Sequence, residues 1–102
     1  MIIASVNGTH GQGFLETVER EDGPALRIGM LKASGQNALR LQRLVDDREP
    51  LTYSGPVLTN GRWCVDTVPI EATSIVMEPG TPPIVSLTLC EHVDPESSET
   101  AA

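Results

Sequence analysis

Thr59-Asn60-Gly61-Arg62-Trp63-Cys64-Val65-Asp66-Thr67-Val68-Pro69-Ile70 is the stretch on which the fold turns. Asn-Gly is the strongest two-residue hairpin signal, because both central residues of the favoured turn need positive φ. The run that follows, Arg62 to Met77, is rich in β-branched residues and predicts one long strand. Trp63 and Val65 share a face, whereas Val68 and Ile70 share the other. That change of face predicts a bulge or bend near Thr67–Pro69. Pro69, which lacks an N–H, points to an edge or a bulge at the same place.

Outward from this strand the chain is punctuated clearly. Glu78-Pro79-Gly80-Thr81-Pro82-Pro83 reads as a loop. Val85, Leu87 and Leu89 then alternate with Ser86, Thr88 and Cys90, the pattern of a half-buried strand. Before the Asn-Gly turn, Leu51-Thr52-Tyr53 reads as a short strand closed by Ser54-Gly55-Pro56. Ala38, Leu41, Leu44 and Val45 form one apolar helical stripe, with Ser34 placed to cap its start. Asp46 and Asp47 oppose the helix dipole, so the helix is expected to fray by Arg48, and Pro50 forbids its continuation. Leu26, Ile28 and Met30 alternate, and Phe14, Thr17 and Val18 favour a strand. These two stretches make a hairpin, 14–20 to 25–31, about Glu21-Asp22-Gly23-Pro24. Asn7 to Gly13 is dense in turn residues, and Ile2–Val6 reads as a first strand. The expected fold class is α+β: a small, mostly antiparallel sheet with one covering helix, in a single domain over 1–93.

Composition bounds the function. The 102 residues carry 14 acids against 7 bases, for a net charge of -7. A surface this acidic opposes binding to nucleic acid phosphates and to anionic membranes. No apolar run approaches the ~18 residues of a spanning helix, and the opening residues do not read as a leader peptide. Glu91, Asp94, Glu96 and Glu99 all fall in the last twelve residues, with no lysine or arginine among them. Residues 94–102 hold nothing apolar larger than alanine and are expected to form a flexible acidic tail. Only Phe14, Tyr53 and Trp63 are aromatic, so the core must come from Leu, Val, Ile and Ala.

No residue set points to catalysis. Gly11-Gln12-Gly13 leads into a strand, whereas a phosphate-binding glycine fingerprint must open a helix. A zinc site from His10, His92, Cys64 and Cys90 would need four distant residues, with no ligand spacing to support it. Cys64 and Cys90 read as strand thiols, which could bond only if their strands pair. Asp46 and Asp47 are adjacent on a helix and do not face each other. No nucleophile, base and orienting residue can be named together, so the chain reads as a non-enzyme without cofactor or metal. The Asn7-Gly8-Thr9 sequon reads as a turn. Trp63 stands out as a possible interaction anchor, against the plainer reading of a sheet-core residue under the helix.

The C-terminal half resembles phage tail protein U, a tail-morphogenesis family of contractile-tailed temperate phages. The resemblance runs through the helix 38–45, Pro50-Leu51-Thr52-Tyr53-Ser54-Gly55, and Asn60-Gly61-Arg62-Trp63-Cys64-Val65-Asp66. It continues through Ala72-Thr73-Ser74-Ile75-Val76, a Pro79-Gly80 turn, and Leu87-Thr88-Leu89 followed by Glu91 to Asp94. Gly61-Arg62-Trp63 and the Leu-Thr-Leu end are its most specific parts. The resemblance implies a structural component of a phage tail or tail-like particle, near the tube end or baseplate. It implies self-association in a ring, contacts with other tail proteins, and a place in the virion after assembly in the bacterial cytoplasm. Tyr53, Asn60, Arg62, Trp63, Pro82 and Pro83, with loops 56–62 and 78–83, are the expected contact residues. A different class of reading rests on charge alone: a small acidic module that blocks a basic surface on a host protein.

Overall fold

A computed structural model describes residues 3–93. Six strands and one helix follow in the order β1 (Ile3–Val6), β2 (Thr9–Val18), β3 (Leu26–Ser34), α1 (Gln36–Asp46), β4 (Leu51–Thr59), β5 (Arg62–Glu78) and β6 (Ile84–Glu91). The expected sheet and single helix are present, but the sheet does not stay open. It closes into a barrel in the order β1-β2-β3-β6-β5-β4. The fold is therefore mostly β, and the helix serves the barrel instead of covering an open sheet.

Closure is made at β4. Ser5 and Val6 of β1 pair antiparallel with Ser54 and Tyr53. Past the short β1, β2 meets β4 directly in a parallel pairing of Leu15 with Val57 and Glu16 with Leu58. Asn7 fastens this seam. It sits at φ 50 in an Asn7-Gly8 turn that joins β1 to β2. Its Nδ2 donates to the Pro50 carbonyl at 2.9 Å, and its Oδ1 accepts from the Thr52 N–H at 2.8 Å. Its own N–H donates to the Thr52 carbonyl at 3.0 Å.

Alternation fills the barrel, as the period of a strand requires. Val6, Leu15, Leu31, Tyr53, Val57, Val68, Val85, Leu87 and Leu89 are all buried to 1% exposure or less. The helix closes the end where β3 stops and β4 and β6 start. Ala38 and Leu41 of its predicted stripe are fully buried in the same core, with Leu44 and Val45 packed against it. Ser34 does not cap this helix. It is the last residue of β3, and Gly35, at φ 65, holds the N-cap position without a side-chain hydrogen bond. The C-terminus does not fray either. Arg48 adopts φ 53, its N–H donates to the Val45 carbonyl at 3.1 Å, and the Glu49 N–H donates to the Leu44 carbonyl at 3.1 Å. That is a Schellman stop with arginine in the place glycine prefers.

Several expected boundaries move. The Gly11-Gln12-Gly13 run lies inside β2, and Ser54-Gly55-Pro56 inside β4. Added Cβ atoms explain why. At Gly13 a Cβ would land on the Met30 carbonyl oxygen, and at Gly29 on the Phe14 carbonyl oxygen. At Gly55, where φ is 155, it would lie 2.7 Å from the Ala4 Cβ. Glycine here permits the sharp coiling of adjacent strands that a small barrel needs. The 62–70 register runs unbroken against β4 through Pro69, and the irregularity in β5 falls later, between Ala72 and Ser74. The Asn60-Gly61 hairpin is as expected, with φ 52 and 75.

Cys64 and Cys90 lie on neighbouring strands but are both free. Cys90 is opposite Glu71, seven residues along β5 from Cys64. At ~3.3 Å per residue that is about 23 Å, far beyond disulfide reach. The expected acidic tail, 94–102, lies outside the described residues.

Candidate protein-contact surface

The outer wall of the barrel carries an apolar patch built by the same alternation that fills the interior. Met30 of β3 lies opposite Phe14 of β2, and Ile28 lies opposite Glu16. The β2–β4 register sets Glu16 beside Leu58, and the β4–β5 register sets Leu58 opposite Trp63 and Pro56 opposite Val65. Side chains opposite one another share a face. One row thus runs Ile28, Glu16, Leu58, Trp63, and its neighbour brings Met30, Phe14, Pro56 and Val65 onto the same wall. Phe14 and Trp63 pack edge to face, with ring centroids 5.5 Å apart. Met30 is 53% exposed, Trp63 52% and Val65 82%. Exposed apolar side chains gathered on one wall, with the Glu16 carboxylate among them, make it the candidate contact surface.

The expected contact residues divide. Trp63 is not a core residue under the helix. It stands on the outer wall, half-exposed, with Arg62 exposed beside it and Asn60 exposed in the turn. Tyr53 is not a contact residue. It is fully buried, and its hydroxyl donates to the Pro56 carbonyl at 2.6 Å. Burial pushes its pKa up to about 12. An inward position on β4, with a hydroxyl partner three residues on, makes it a core residue. Pro82 is exposed and Pro83 half-buried, with the Pro83 carbonyl accepting from the Gly35 N–H at 2.9 Å. They lie in the loop between β5 and β6, where β6 starts opposite Ser34 at the helix end of the barrel. The 62–67 stretch runs to the other end, so the two groups do not form one surface. Leu58 lies within the expected 56–62 contact stretch and Val65 shares its face with Trp63 as expected, but Phe14 and Met30 were not singled out as contact residues. Their shared face follows from the β2–β4 pairing, which has no local signal.

The barrel end opposite the helix holds an ion cluster on inward positions. Arg27 bonds Glu91 twice through its side chain, at 3.2 and 2.7 Å, and Asp66 once, at 2.7 Å. The Arg27 N–H also donates to Glu91 at 3.1 Å. Three strands are thereby tied across the barrel mouth, and the Thr17 and Thr59 hydroxyls share a 2.8 Å hydrogen bond nearby. The Arg27 hydrogen bonds hold the Glu91 carboxyl below its ordinary value of 4.5 and, with Glu91 as the main cause, raise Arg27. A carboxyl lowered in the folded state contributes stability that is present above its unfolded pKa and lost as pH falls through the folded one. Arg27→Met is therefore expected to cost about 2 kcal/mol at pH 7, because it strands a mostly buried carboxylate. The difference from the parent should narrow below pH 4. Urea titrations followed by Trp63 emission at the two pH values check it, and a constant difference would refute the assignment. One guanidinium thus holds two carboxylates, Glu91 and Asp66, and ties β3, β5 and β6 together at this end.

Comparison of the chain with protein-family models, with curated proteins and with solved structures gives no match.

Proposed function

We propose that this protein is a structural component of a phage tail or tail-like particle, taking part in assembly near the tube end or baseplate. The observation that carries the reading is the apolar outer wall around Trp63, Phe14, Met30 and Val65. A small barrel has little reason to leave its one tryptophan half-exposed unless a neighbour covers it. The sequence resemblance to phage tail protein U supplies the kind of neighbour: further copies in a ring, and adjoining tail proteins. The acidic surface suits a place beside a DNA conduit, since it does not hold phosphate.

The test is assembly. The purified full chain, alone and with the products of neighbouring tail genes, is expected to form rings visible by electron microscopy and by mass from light scattering. Trp63→Glu should leave the fold intact and abolish the rings, since it sets a charge in the covered patch. A chain that stays monomeric with every such partner would sink the reading. The acidic-module alternative predicts instead a salt-sensitive complex with a basic protein, indifferent to Trp63.

A further inference from the structure

Strand β5 is paired on both sides only around Ile70. From Arg62 to Ile70 it has β4 on one side. On the other side its pairing with β6 starts at Ile70, opposite Glu91. Among the described residues, no strand pairs with that second side of 62–69, and residues 62–67 are all exposed. Alternate residues of an antiparallel strand turn their N–H and C=O to the same side. The Pro69 carbonyl accepts from the His92 N–H at 2.8 Å, so Pro69 faces the β6 side. Thr67, Val65 and Trp63 face that way with it. The Thr67 N–H is met by Asp66 Oδ1 at 2.8 Å. The main-chain groups of Val65 and Trp63 form an open edge, and an open edge invites another strand.

The sequence of this edge complements itself. Laid antiparallel on a second copy about a two-fold axis at Cys64, it sets Arg62 opposite the partner's Asp66 and Trp63 opposite the partner's Val65. The first is an opposite-charge pair and the second an aromatic with a β-branched residue, both favourable directly across a sheet. The parity agrees. Trp63 and Val65 are the residues whose N–H and C=O face the edge, so they make the hydrogen-bonded pair. The Asp66 side chain is 48% exposed although it holds Arg27, so the partner's Arg62 can reach it. Centring on Trp63 or Val65 instead sets Arg62 or Asp66 against Cys64 and loses the charge pairs. Centring on Asp66 sets like charges opposite each other. The pairing also stops short of Pro69, whose place on this side is held by His92.

We propose that two copies of this chain join β5 to β5 in this register, an isologous dimer in which one sheet runs from barrel to barrel. It covers Val65, the most exposed apolar side chain of the outer wall at 82%. The inference concerns two copies of the chain and stands whether or not the protein belongs to a phage tail.

Cys64 makes the register testable. It faces the partner's Cys64 as a non-hydrogen-bonded pair, with Cα atoms about 4.5 Å apart, inside disulfide reach. Diamide takes the hydrogen from each thiol, is itself reduced, and leaves an S–S bond. The purified full chain is expected to sediment as a dimer that dissociates on dilution, and diamide is expected to lock it. Cys64→Ser should remove the cross-link and Cys90→Ser should not. Val65→Pro deletes an N–H that faces away from β4, which an edge strand tolerates. Arg62→Glu sets like charges across the axis. Each is expected to weaken the dimer about 10-fold or more. Arg62→Glu mixed with Asp66→Lys should recover it, because every charge then meets its opposite, and Arg27 keeps Glu91 in the second variant. Urea midpoints show that each variant folds. A chain that stays monomeric over the concentration series overturns the proposal. So does a dimer indifferent to both Val65→Pro and Arg62→Glu, or one that diamide does not link through Cys64.

Discussion

Gly29→Ala is expected to cost at least about 3 kcal/mol, the upper end for forcing atoms into a packed interior. Its backbone is unremarkable in φ, so the cost is spatial. A Cβ there would clash severely with the Phe14 carbonyl oxygen and lie 2.9 Å from the Leu15 Cα. A carbonyl in a ladder cannot step aside as a side chain can. The β2–β3 pair would have to uncoil, and the seam with β4 lies on the same β2 residues. Gly61→Ala is the informative comparison. Gly61 sits at φ 75 with nothing within 4 Å of an added Cβ, so its cost is conformational only, about 1 kcal/mol. Denaturant titrations of both variants check the contrast. Similar losses would mean that strand coiling at Gly29 relaxes easily.

Leu15→Ala is expected to cost about 3–4 kcal/mol. Leu15 is fully buried and sits opposite Gly29 on one side and Val57 on the other. It is therefore the side chain at which three strands meet across the closure. Glycine at 29 offers no side chain to fill the space that alanine at 15 would leave, so collapse around the cavity is limited. Leu15→Ala combined with Gly29→Ala should be markedly non-additive, because the two positions are direct neighbours. Additive losses in the same titrations would place the two effects in separate parts of the barrel.

Much of the local structure was readable, and the closure was not. Asn60-Gly61 announces its hairpin through φ values that few other residues accept. Val85, Leu87 and Leu89 announce β6 because one face of a strand must be apolar. The stripe Ala38, Leu41, Leu44 and Val45 finds its core for the same reason. Glycine is where reading fails. Gly11 and Gly13 look like turn residues, yet the reason for them is the Lys32 and Met30 carbonyls of β3, distant in sequence. Gly55 looks like a strand end, yet it is required by the approach of Ala4 from β1. The contact surface suffers likewise. Trp63 and Val65 could be seen to share a face, but not that Phe14 and Met30 join it. Tyr53 could be seen as aromatic near the Asn-Gly hairpin, but the inward parity that buries it depends on the closed barrel.

The order of strands around the barrel also sets when the protein can fold. Ile28 is opposite Cys90 and Ser34 is opposite Ile84, so β3 lacks one neighbour until β6 exists. Val6 likewise waits for Tyr53. Contacts this distant in sequence make for slow, all-or-none folding. During synthesis the hairpin of β2 and β3 can form early, but it remains two staves of six with its apolar face wet. The ribosome must deliver residues through Glu91 before the last stave drops in, and until then the growing chain depends on not meeting another like itself.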